Sequence, residues 1–355
     1  MWRGVRAAVP VSAWAGILLR LETQVKWFVR TPWIGDTGLM DRLPERHAAL
    51  DALRGLTVFL MIPVNAGMGF ASIPAWLKHA PAAGLQLADF IMPAFLVALG
   101  ISGSLSLGKR VSRDGLLRTS LHALYRYGLL FAFGSIGYFL VWKQGSWEVL
   151  QMLGATGALA FPFMFLRPLP RIVAALALAA TVELLRPAYF ATAYQAWHDS
   201  GLGGPAGTFA LASLPVFASA IGELMRGKPF RIRVWLSATT GSGLLLLGLL
   251  ASLLSLPDKH LLTPGYLLLT SGSAFLVLAL LELPCQRFGD LPLFGAIGRN
   301  PLFGYMASGI LILVARALVP ADSNAAVAWA AVGAVWGIII IACIIMDRKG
   351  WWIKL

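Results

Sequence analysis

Charge is what this sequence has least of. Only 13% of its 355 residues are acidic or basic, about half the share in a water-soluble globule, so an ordinary soluble domain is excluded. Cysteine is nearly absent: Cys285 and Cys343 cannot make a disulfide scaffold and imply nothing about redox chemistry. The sequence holds no HExxH, paired CxxC, Walker A loop or GxSxG elbow. Zinc hydrolysis, P-loop NTP hydrolysis and nucleophile-elbow hydrolysis therefore lack support, and no metal is expected. No long polar stretch interrupts the chain, which argues against a second, soluble domain. What fills the sequence instead is apolar, with 58% hydrophobic residues and a mean hydropathy of +0.75. That excludes disorder and predicts an integral membrane protein.

A bilayer core of about 30 Å needs roughly 20 mainly apolar residues per helix. Ten such runs lie near residues 48–70, 88–108, 119–142, 147–166, 170–186, 207–225, 233–256, 264–284, 293–319 and 325–346. They predict an all-α polytopic membrane helical bundle of about ten transmembrane helices, joined by short connections except at 187–206. Residues 1–47 differ. Arg3, Arg6, Arg20, Lys26 and Arg30 alternate there with Trp2, Trp14, Trp27, Phe28 and Trp33, a mixture typical of a segment lying in the lipid interface. The run from Val9 to Leu19 is too short to span, and as a signal peptide it lacks a small-residue cleavage site. The expected organisation is a basic, aromatic-rich interfacial segment at 1–47, a membrane domain at 48–346 and a short basic tail at 347–355.

The net charge of +13 would suggest nucleic acid in a soluble protein. Placed around a bilayer, it becomes an orientation. With the N-terminus inside, the inner segments hold 21 Lys and Arg, while the outer ones hold only Lys78, Lys143 and Lys259. By the positive-inside rule both termini are predicted cytoplasmic, and nucleic acid is dropped as a partner.

Ionisable groups within spans are expensive and usually face a partner or a wet cavity. Asp51 and Arg54, three residues apart, share one face of the first helix. They form either a local ion pair at the membrane edge or a cytoplasmic cavity in which Arg54 meets an anion. Farther along come Pro63 and Asn65, then an outer loop with His79, then Asp89 and Pro93 in the second span. Asn65 alone reads first as glue between helices. A histidine can serve as general base near neutral pH, with a carboxylate fixing its tautomer. Gln151 stands in an otherwise apolar run and lines a polar cavity if one exists. Glu148, Glu183, Glu223 and Glu282 lie near predicted helix ends, where capping or interfacial solvation accounts for them. Arg299-Asn300-Pro301 interrupts the ninth span as a kink or as a break around a ligand, and Arg299 needs a counter-charge.

Leu50, Asp51, Arg54, Gly55, Val64, Asn65, His79, Ala80, Gly84, Leu85, Ala88, Asp89, Pro93 and Phe95 occur in that order. In this the chain resembles the heparan-alpha-glucosaminide N-acetyltransferase-like transmembrane acyltransferases. Weaker echoes follow at Arg126 before Gly128-Leu129, Leu150-Gln151, Leu262-Thr263, Tyr266-Leu267, Gly298 with Asn300-Pro301, and the run from Gly350 to Lys354. The resemblance implies transfer of an acyl group, typically acetyl, from cytoplasmic acetyl-CoA to an amine or hydroxyl of a sugar across the membrane. By position His79 is the catalytic histidine, Asn65 donates to the oxyanion and Asp89 orients the imidazole. Arg54, Arg126, Gln151 and Asn300 are the expected CoA-binding residues. Direct transfer and an acyl-histidine intermediate both stay open.

The family often has an aromatic and an Asn after His-Ala, where this chain has Pro81, Ala82 and Ala83; Met152 stands where closer relatives have Arg. Heparan glucosamine is thus an unsafe acceptor, and a bacterial envelope glycan or glycolipid is expected, with N- and O-acylation equally open. The expected location is the bacterial inner membrane, the partners are membrane lipid and the glycan acceptor, and self-association is left open. The main rival is a transporter or flippase of a glycan or lipid-linked substrate, which broken helices and buried charge would also suit.

Overall fold

The computed structural model describes residues 47–80, 83–142, 147–185 and 203–353. The interfacial segment expected at 1–47 lies outside these residues except for His47, as do most of the long connection and Lys143. The described residues form eleven α-helices and no strand. They are α1 (Ala48–Gly67), α2 (Leu87–Asp114), α3 (Leu116–Trp142), α4 (Val149–Ala160), α5 (Pro168–Leu185), α6 (Gly204–Met225), α7 (Phe230–Ser252), α8 (Pro264–Phe288), α9 (Pro292–Arg299), α10 (Pro301–Leu318) and α11 (Ala325–Arg348).

Every one of the ten apolar runs is helical, so the chain is an all-α polytopic bundle. Eight helices (α1, α2, α5, α6, α7, α8, α10 and α11) are long and apolar enough to cross a membrane. The remaining runs are α3 and the shorter α4, which continues into a 3₁₀ turn at Phe161–Phe165. The ninth run is broken rather than kinked. Asn300 leaves helical geometry at φ −126°, ψ 47°, and Pro301 restarts the chain as α10, where a missing N–H costs nothing.

The hub is α1, which packs against α2, α8, α9, α10 and α11. Lipid tails are as apolar as the helix faces, so association within a bilayer depends on close packing at small residues. The α1/α9 crossing shows how close. A Cβ on Gly55 would lie 1.8 Å from the Phe294 carbonyl oxygen, and one on Gly298 would lie 1.8 Å from that of Asp51. Gly100 similarly admits the Pro215 backbone of α6 against α2. Outward-facing leucines such as Leu246, Leu249 and Leu254 are exposed on and just beyond α7, as a lipid-facing surface requires.

Two acids expected to be solvated or capping are instead ion-paired. Glu282, 2% exposed, meets Arg233 at 2.9 Å and His47 at 3.4 Å. Glu223 pairs with Arg171, whose side chain is also buried. A buried carboxylate needs such a partner because burial removes its water.

Candidate active site

The chain leaves α1 through Gly67, where a Cβ would lie 3.1 Å from Ile73. Phe70, Ile73 and Leu77 are then buried with Val64 and Ala66 in one apolar cluster. Those anchors order a loop that would otherwise be free, and a 3₁₀ turn at Ala75–Leu77 delivers the chain to His79. Lys78 donates from Nζ to the Phe70 carbonyl at 2.8 Å, which directs it away from its neighbour.

Asp89 is the third residue of α2, where a carboxylate is favoured by the helix dipole and can satisfy unpaired N–H groups. Its side chain is fully buried, and its two oxygens divide the work. Oδ2 accepts from the backbone N–H of Gln86 at 2.9 Å and of Ala80 at 3.4 Å. Oδ1 lies 2.8 Å from His79 Nδ1 and 3.3 Å from Lys259 Nζ. The Tyr266 hydroxyl donates to the Asp89 carbonyl at 3.2 Å. With its amide oriented to satisfy its neighbours, Gln86 donates to the Lys78 carbonyl at 2.6 Å and to that of Ala75.

A carboxylate only accepts, so His79 donates from Nδ1, which puts the ring's lone pair on Nε2. Nε2 has no hydrogen bond among the described residues, and the side chain is 35% exposed. A histidine so held can remove a proton from an incoming nucleophile.

Asn65 sits in the last turn of α1, at the end from which this loop departs. Its side chain makes no hydrogen bond with His79 or Asp89. Its carbonyl accepts from Arg316 Nη2 at 3.3 Å, beside an open concavity of about 460 Å³ lined by Met68, Gly69, Arg316, Val319 and Ala321.

The expected CoA-binding residues are carried by different elements: Arg54 by α1, Arg126 by α3, Gln151 by α4 and Asn300 by the break between α9 and α10. Arg54 is at the opposite end of α1, its Nη2 2.5 Å from Asp51 Oδ1, so the local ion pair exists. Asn300 shares that end through the α1/α9 crossing. It is fully buried, and its Oδ1 accepts from the Ile353 N–H at 3.0 Å. Arg299 finds its counter-charges in Asp290 and Asp347. Arg126 is exposed on α3, close enough to Arg110 to repel it. Gln151 closes the first turn of α4, its Oε1 accepting from the Glu148 N–H at 2.7 Å and its Nε2 donating to Ser135 at 3.3 Å.

Lys259 is the residue that motif reading missed as part of this site. Its side chain is 8% exposed. Burial pushes its ammonium below the usual lysine range, and the Asp89 carboxylate partly restores it.

The bundle and its histidine–carboxylate pair thus define a multi-helix membrane protein with a potential acid–base centre at one end. A family model described as "Heparan-alpha-glucosaminide N-acetyltransferase, catalytic" matches residues 46–205, just under half of the chain and all of the segment that holds His79 and Asp89. Over that region the chain is similar to this family, the one its motifs pointed to. No curated protein matches the chain.

Proposed function

We propose that this protein is a transmembrane acetyltransferase that moves an acetyl group from cytoplasmic acetyl-CoA to an amine or hydroxyl of a sugar or glycolipid on the opposite side of the membrane. The observation that carries this reading is the 2.8 Å contact of His79 with a fully buried Asp89, inside the family-matched region. His79 Nε2 takes the proton of the acceptor as its nitrogen or oxygen attacks the thioester carbonyl. The C–S bond then breaks, CoA leaves as the thiol after protonation, and the acetyl group stays on the acceptor. Asp89 holds the ring in the tautomer that leaves Nε2 free. Asn65, at the same end of α1, donates to the developing oxyanion.

The excess of basic residues on the predicted inner side suits a polyanionic donor there, with Arg54 as the first contact for CoA phosphate and Arg126, Gln151 and Asn300 as further contacts. The membrane is that of a bacterial cell, and the acceptor an envelope glycan.

The test uses full-length protein in vesicles, radiolabelled acetyl-CoA, and glucosamine plus a panel of bacterial envelope glycans. Wild type transfers label covalently to an acceptor and His79→Ala does not. Equal labelling by the two proteins overturns the reading. A transporter would move a glycan without acetylating it, so the same assay separates the two.

A further inference from the structure

Lys259 reaches Asp89 from a loop far along the chain, and that loop is built to hold it there. The segment Asp258–Thr263 is closed on itself at both ends. The Asp258 N–H donates to Thr263 Oγ1 at 2.9 Å, and the Thr263 N–H returns to the Asp258 carbonyl at 3.1 Å. Asp258 Oδ1 also accepts from the N–H groups of His260 and Leu261 at 2.7 and 3.1 Å. Leu262 is held at φ +49°, left-handed backbone that a branched side chain rarely adopts and that persists only where its surroundings enforce it. The Gly84 N–H donates to the Pro257 carbonyl at 2.7 Å, which ties this loop to the one bearing His79.

The result is a base and an ammonium on one carboxylate oxygen, at 2.8 and 3.3 Å. A structural ion pair would need only the Lys and the Asp. Sharing Oδ1 with the imidazole changes the electrostatics of the base. An undiluted carboxylate next to Nδ1 stabilises the imidazolium, in which Nε2 carries a proton and cannot act as base. The ammonium beside the same oxygen cancels part of that field. Of the other ionisable groups nearby, Lys78 donates to the Phe70 carbonyl and the Tyr266 hydroxyl to the Asp89 backbone, while Asp258, hydrogen-bonded within its own loop, lies close enough to Lys259 to favour its ammonium as well.

We infer that Lys259 is a positioning residue that sets the pH range in which His79 is a free base, by sharing the Asp89 carboxylate with it. This rests on the catalytic reading of His79 for its biological meaning, but not for its test.

The test titrates His79 directly. In full-length protein with His47, His122, His198 and His260 replaced by Gln, carbethoxylation by diethyl pyrocarbonate reports the fraction of unprotonated imidazole as a function of pH. Lys259→Met moves the midpoint up by about one pH unit, and Lys259→Arg, which keeps the charge, leaves it within about 0.3 unit. The acid limb of acetyl transfer to the acceptor that wild type labels moves in parallel, with about a tenfold loss of rate on the low-pH side of the midpoint and little loss well above it. Lys259→Gln repeats the measurement should the Met variant fail to fold. An unmoved midpoint in the charge-neutral variants, or an equal shift with Arg, overturns the inference. A shifted midpoint together with full acetyl transfer by His79→Ala leaves this inference standing and removes the catalytic reading.

Discussion

Replacing Asp89 by Asn changes one group of the site and almost none of its volume. Two orientations are open to the new amide, and each fails. With its NH₂ toward His79, the ring must accept at Nδ1, so its proton moves to Nε2 and the base is lost. With its oxygen toward His79, the NH₂ faces the N–H groups of Gln86 and Ala80, which now donate to Oδ2. Two buried donors would then oppose a third, at about 1 kcal/mol or more for each bond lost. Either way Lys259, 8% exposed, loses its carboxylate, and stranding a buried charge costs about 3 kcal/mol. The expected result is a fall of about 10²–10⁴-fold in acetyl-CoA-dependent labelling of whichever acceptor of the panel wild type labels, with a lower apparent melting temperature in detergent. Adding Lys259→Met removes the stranded charge, so the double variant melts higher than Asp89→Asn alone yet stays inactive. Activity within twofold of wild type in Asp89→Asn would refute the tautomer argument. A double variant no more stable than the single one would refute the ion-pair argument.

Gly55→Ala puts a methyl group 1.8 Å from the Phe294 carbonyl and should cost at least about 3 kcal/mol; a wild-type elution profile on size exclusion would contradict the α1/α9 crossing. Arg54→Ala should weaken CoA binding about tenfold, the worth of one charge-assisted contact, and an unchanged calorimetric affinity removes Arg54 from the CoA site. For orientation, His79→Cys in a background with Cys285 and Cys343 replaced by Ala should react with an impermeant maleimide added outside. Reaction only from the cytoplasmic side would reverse the topology.

The helices were legible because their signal is local: a run of apolar residues bounded by charge, Gly or Pro is complete within its own stretch of chain. An interruption at Asn300-Pro301 was visible for the same reason, since Pro301 removes a donor wherever it sits, but whether it was a kink or a break was not, because that depends on the Asn300 backbone. The pairing of His79 with Asp89 came within reach because only ten residues separate them and an acid near a helix start has few roles. Lys259 was not legible as a partner, because its contact with Asp89 depends on how a distant loop folds back over α2. The charge sorting had set Lys259 apart as one of only three basic residues in the segments expected outside, without naming its partner. Gln151 was legible only as a buried amide in an apolar run; that it bridges the Glu148 N–H at the start of its own helix and Ser135 on α3 depends on how α3 and α4 pack.

The break between α9 and α10 also has a history in time. Asn300 accepts its hydrogen bond from a residue made 53 positions later, and Arg299 binds a carboxylate made 48 positions later. At about 5–20 residues per second, the helix ends wait about 2–10 s for those partners during synthesis. Over that interval Arg299 has Asp290 from its own neighbourhood, while Asn300 must be served by water. This end of the bundle is therefore completed only once α11 and the residues just after it have been made. A substitution at Asp347 would accordingly be felt first during insertion, as protein that never matures, before it was felt in turnover.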